Sequence, residues 1–155
     1  MMRGSAALLF VVVLAQTVSA STDTVRYTNR SYIFATLDIP NFVTPSPQPD
    51  TFVGYRNRMQ IIVNVEVSTP HYDDRSVTCG RGYLTYKLDR PRVFAYSCKI
   101  GPDIAYGVTK FGRTYRVGAS DATEQIAFTI NYPASQKRYW DPIVAHMTRS
   151  LRFAH

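Results

Sequence analysis

The spacing of apolar residues changes once along this chain, at Pro133, and that change sets its structural class. Before it, Met59, Ile61, Val63, Val65 and Val67 alternate with Gln60, Ile62, Asn64, Glu66 and Ser68. Further on, Ile126, Phe128, Ile130 and Tyr132 alternate with Gln125, Ala127, Thr129 and Asn131. A period of two sends alternate side chains to opposite faces, so both segments read as strands with one buried face. After Pro133, Trp140, Ile143, Val144, Met147 and Leu151 recur at steps of three and four, which places one apolar stripe on a helix. Proline has no N–H to give to a ladder, so the strand stops where the period changes.

Weaker signals fill in the rest. Val25–Tyr27 and Tyr32–Asp38 flank the turn-like Asn29-Arg30-Ser31 and predict a hairpin that Pro40 ends. Pro45, Pro47 and Pro49, at every second position, predict an extended surface loop over Asn41–Asp50. Tyr83–Leu88 and Val93–Ile100 flank Asp89-Arg90-Pro91-Arg92 as a second hairpin, and Ile104–Phe111 and Thr114–Val117 continue the pattern. Pro142 suits the first position of the helix, with Asp141 as its cap and Arg149 and Arg152 at its C-terminal dipole. The expectation is an α+β fold: a single antiparallel sheet of about six to seven strands whose greasy face the C-terminal helix covers.

Arg3, the unbroken apolar stretch Ala6–Ala15 and the small residues before Ser21 read as a secretory signal cleaved after Ala20. The stretch is about half the length that a membrane span needs. Residues 21–155 then form one globular domain, periplasmic or secreted. The chain carries 18 basic against 11 acidic residues, +7; without Arg3 the balance is 17 against 11, +6. This moderate excess favours anionic partners such as lipid headgroups, acidic glycans or an acidic protein. An exported chain is not expected to meet nucleic acid. Two cysteines, Cys79 and Cys98, are the whole complement, and an even count in an oxidising compartment predicts one disulfide.

Tyr27-Thr28-Asn29 with Tyr32–Pro40, then Asn131-Tyr132-Pro133-Ala134-Ser135-Gln136, then Ser150-Leu151-Arg152-Phe153, resemble the small exported bacterial proteins of the Mog1/PsbP-like type. The resemblance spans nearly the whole mature chain. Members commonly carry a further helix between the middle strands, whereas Thr69–Gly82 is short and broken by Pro70, Gly80 and Gly82. The resemblance implies a non-enzymatic protein: an accessory subunit, or a periplasmic immunity protein that blocks a muramidase delivered by a rival cell.

No nucleophile elbow, phosphate-cradling glycine loop, zinc-protease helix or cysteine quartet occurs, and no cofactor or metal is expected. His71-Tyr72-Asp73-Asp74 gathers an imidazole and two carboxylates, but without the spacing of zinc or calcium ligands it reads as a solvated loop. Cys79 with His71 or His146 as its base would make a hydrolase, a reading that needs a free thiol. His146, one step off the apolar stripe, reads as a boundary residue with a solvated ring.

Arg90, Arg92, Lys99, Lys110, Arg113 and Arg116 are interleaved with Tyr86, Tyr96, Tyr106 and Tyr115. Such a mixture is ordinary sheet surface or a contact for a macromolecule. Arg90, Arg92, Tyr96 and Tyr106 are the chosen candidates for docking another protein, for which the resemblance supplies a toxin as the example. An envelope-associated module holding anionic lipid or glycan on the same basic face is the alternative.

Overall fold

The computed structural model describes residues 23–29, 35–54, 58–68, 75, 77 and 79–154, with the backbone alone of residues 29 and 62–68. The expected leader and the His71–Asp74 segment lie outside the described residues. In chain order the elements are β1 (Thr24–Asn29), β2 (Ala35–Pro40), β3 (Thr44–Pro45), β4 (Thr51–Gly54), β5 (Met59–Ser68) and β6 (Tyr83–Arg90). Then come β7 (Val93–Ile100), β8 (Asp103–Val117), β9 (Ser120–Pro133), a 3-10 turn (Ala134–Gln136), α1 (Lys137–Ser150) and β10 (Arg152–Phe153). All strand pairings among the described residues are antiparallel, and the α+β class holds.

The expected single sheet is two sheets. Among the described residues seven strands run in the order β3-β4-β5-β9-β8-β7-β6, and β1, β2 and β10 form a separate sheet with β2 in its middle. The two N-terminal strands do pair, with Thr24 opposite Pro40 and Asn29 inside β1 opposite Ala35, while the expected turn residues Arg30 and Ser31 and the strand start at Tyr32 lie outside the described residues. The pair leaves the main sheet because the chain returning from the helix takes the other side of β2, with Arg152 opposite Thr36 and Phe153 opposite Ala35. Arg152 therefore sits on a strand and not at the helix terminus, where Arg149 remains. The proline-rich loop is also less open than expected: Thr44 and Pro45 pair with Val53 and Phe52.

One core joins both sheets and the helix. Ala35, Leu37 and Ile39 of β2, Met59 and Ile61 of β5, and Ile126, Phe128, Ile130 and Tyr132 of β9 are buried with Trp140, Ile143, Val144, Met147 and Leu151. The two alternating strands and the helical stripe thus meet as their periods require. The helix packs on β2 and β9. It begins earlier than Pro142 suggests: Lys137 is its first residue, and Pro142 lies inside it. Proline there costs the bond to the Arg138 carbonyl. Only with a helical first turn does Trp140 join the stripe, and that burial offsets the loss. Asp141 pairs along the helix with Lys137 at 2.5 Å instead of capping it.

Asp38 ties the small sheet to the helix. Its carboxylate accepts from Arg26, directly across the strand pair, at 2.8 Å and 3.3 Å; its N–H donates to Ser150 Oγ at 3.0 Å, and Oδ2 lies 3.4 Å from His146 Nε2. The Arg26 guanidinium holds the Asp38 carboxyl below the ordinary carboxylate range. A carboxyl with a depressed folded pKa stabilises the fold above its unfolded value and loses that contribution as pH falls through the folded one. The stability gap between wild type and Asp38→Asn is therefore expected to be full at pH 6 and to close below about pH 4. Urea melts across that range check it, and a gap that does not change with pH removes the assignment.

Candidate docking site

Cys79 and Cys98 are joined, with Cα atoms 5.6 Å apart across 19 residues. Cys79 precedes β6 and Cys98 lies on β7, so the bridge fastens the chain entering the edge strand to its neighbour. Both sulfurs are consumed, which removes Cys79 as a nucleophile. His146 lies beside Asp38 on the helix and has no thiol to serve. Among the described residues no three His, Cys, Asp or Glu side chains are grouped to hold a metal ion.

The four residues expected to form one patch are divided between surfaces. Tyr96 is opposite Gly107 and Tyr106 opposite Ser97, so successive register positions send the two rings to opposite faces of the sheet. Tyr106 faces the helix: its hydroxyl is 3.3 Å from Thr148 Oγ1 and its ring 6.2 Å from that of Phe128. Burial raises its pKa. Tyr96 lies on the other face, its ring 6.0 Å from Phe94. Arg90 and Arg92 are exposed at the β6–β7 turn, which Arg75 clamps through Asp89 Oδ1 at 2.6 Å and the Arg90 carbonyl at 2.9 Å. The Arg75 guanidinium also lies over the Phe111 ring, 4.5 Å from its centroid.

Lys110 leaves the basic cluster as well, because its Nζ donates to the Leu151 carbonyl at 2.7 Å where the helix ends. Burial, with Arg152 nearby, lowers its pKa. A cleft of about 350 Å³ between the helix and the β6–β7 side holds Tyr86, Tyr106, Tyr132, Lys137 and Asp141. Burial, with Asp141 nearby, pushes the Tyr132 hydroxyl up to about 12, so at neutral pH it is no base.

What the fold does bring together is an arm. β8 pairs with β7 only as far as Lys110, and β9 pairs with β5 only as far as Thr123. Beyond these points, among the described residues, the two strands pair only with each other, from Tyr115–Ala122 to Val117–Ser120, and Gly118-Ala119 turns the tip. Residues 112–121 are all exposed. Val117 is 59% and Tyr115 41% accessible, beside Arg113 and Arg116.

The base of this arm is locked. A break in register between Phe111 and Thr114 turns the strand, and buried Glu124 fills the irregularity. Its Oε2 accepts the Arg113 N–H at 2.9 Å and its Oε1 accepts the Tyr115 hydroxyl. Gly112 allows that approach, since a Cβ there would stand 2.5 Å from Glu124 Oε2 and 2.7 Å from Phe153 Cζ. Arg92, Arg113, Tyr115, Glu124 and Phe153 line a cleft of about 670 Å³ at this base.

Arg92, Arg113, Arg116 and Tyr115 were visible as part of a basic, tyrosine-bearing stretch. Glu124 was not, although it continues the stripe of Ile126, Phe128 and Ile130 by one step of two. A carboxylate on a buried stripe was the available signal for a satisfied polar lock. Comparison with known proteins adds no assignment: no family model matches the chain, and the curated proteins contain no significant match.

Proposed function

We propose that this is an exported, non-catalytic binding protein of the inhibitory kind, which docks on another protein with the β8–β9 arm. The observation that carries the reading is the arm itself, exposed along its length and locked at its base by Glu124. A preorganised hairpin loses little entropy on binding, and tyrosine and arginine are the side chains that most often dominate interface energies. The exposed residues 112–121 carry two arginines against one aspartate, Asp121 opposite Arg116, and this net +1 suits an acidic groove. The leader-like N-terminus and the disulfide support an oxidising, exported location. A β-rich body with one terminal helix is compatible with the Mog1/PsbP-like type, and a cell-wall-degrading toxin is the partner that type suggests.

Pull-down from periplasm should recover a protein that wild type releases at high salt. The triple variant Arg113→Glu, Tyr115→Ala, Arg116→Glu should bind it at least thirty-fold more weakly, the size of one interface hot spot of about 2 kcal/mol. Equal capture by wild type and variant, or no partner at any salt, ends the proposal. A second reading rests on Val117, whose exposure beside Arg116 suits an anionic lipid or glycan surface. Salt-sensitive sedimentation with anionic vesicles or peptidoglycan, lost in the same variant, would select it.

A further inference from the structure

Among the described residues the sheet ends at β6, and β6 is almost entirely open to solvent. Every residue from Tyr83 to Arg90 is exposed except Leu88, and Tyr83, Leu84 and Tyr86 are 64%, 45% and 47% accessible. An edge of this kind offers unpaired backbone groups to another strand. Which groups it offers follows from the ladder. Arg90 and Val93 close the two-residue turn, so they exchange hydrogen bonds, and the antiparallel alternation then turns the N–H and C=O of Leu88 and Tyr86 toward β7 as well. Lys87 and Asp89 therefore present theirs to the free edge.

We infer that β6 pairs with β6 of a second copy of this chain, antiparallel about a two-fold axis at Leu88. In that register Lys87 stands opposite Asp89 of the other copy as a hydrogen-bonded pair, twice over, giving four backbone bonds and two opposed charges. Tyr86 stands opposite Arg90, and Leu88 meets Leu88. Because Leu88 is opposite Ala95 of the core, Tyr86, Leu88 and Arg90 share the helix-facing side in both copies, and the two sheets join without a change of face. Centring the axis on Lys87 would oppose lysine to lysine, and centring it on Asp89 would oppose aspartate to aspartate. The irregularity between Leu84 and Tyr86 breaks the edge beyond that point. Only the Leu88 register complements itself, as an isologous contact requires. A lysine on an edge strand ordinarily prevents pairing; here the aspartate two residues along converts it into an attraction.

Light scattering during size exclusion tests this on the oxidised mature chain at tens to hundreds of micromolar. Wild type should elute at twice the chain mass. Lys87→Asp and Asp89→Lys, which oppose like charges, should each raise the dissociation constant at least tenfold and leave monomer. The double exchange Lys87→Asp, Asp89→Lys should restore the dimer. Lys87→Asp leaves the Arg75–Asp89 clamp intact, and circular dichroism melts confirm that each variant folds. A monomeric wild type at the highest concentration, a dimer indifferent to the single changes, or a double exchange that stays monomeric overturns the inference.

Discussion

Trp140→Ala is expected to lower stability by about 3–5 kcal/mol, the range for removing a large aromatic side chain from a packed interior. Trp140 is 1% accessible and ties the helix to the segment after β2 and to the end of β9. Its ring lies 5.8 Å from Phe42 after β2, 5.9 Å from Tyr132 at the end of β9 and 5.2 Å from Tyr139 on the helix. Its Nε1 donates to Gln136 Oε1 at 3.1 Å, which satisfies the one polar atom that burial would strand. The rigid rings around it cannot collapse into the space, so the loss includes a cavity as well as lost burial. For a chain of this size the midpoint should fall by roughly 10–15 °C. Urea and thermal melts read it, and a fall of less than about 1 kcal/mol would mean that the helix start is not anchored as described.

Trp140 also shows why the helix was legible while its beginning was not. The stripe from Trp140 to Leu151 is a long-range signal, because each member must find the core. Asp141-Pro142 is a local signal that favours a start at Pro142, and burial of one tryptophan outweighs it. The same competition explains the sheets. Alternation in Met59–Ser68 and Gln125–Tyr132 assigns strands and faces, but it does not say which strands are neighbours. That β2 would pair with the chain after the helix depends on Arg152 and Phe153 arriving beside Thr36 and Ala35, which no local pattern records. Within the candidate site, the basic and aromatic residues could be read, but their grouping depended on register. One residue of offset sends Tyr96 and Tyr106 to opposite faces, and an irregularity at Gly112-Arg113 builds the base of the arm from a carboxylate on a buried stripe.

Removing the disulfide is expected to cost roughly 3 kcal/mol, the chain-entropy value for a closed loop near this length, and to lower the midpoint by about 10 °C. The effect should be concentrated at one edge of the molecule. Among the described residues β6 has β7 as its one neighbour in the sheet, and its side chains add little buried area, so the bridge from Cys79 to buried Cys98 limits how far the edge strand can depart. In the Cys79→Ala, Cys98→Ala protein, amide exchange should quicken most in residues 83–90, while β5, β9 and the helix keep their order of protection. Reduction of wild type should reproduce both results. The pairing of β6 with a second copy needs that strand held flat, so the dimer should weaken in parallel, whereas binding through the arm, braced by Glu124 on the other side of β8, should persist. If β6 exchanges no faster without the bridge, then its ladder to β7 holds the edge unaided, and the two cysteines stabilise the fold only by restricting the unfolded chain.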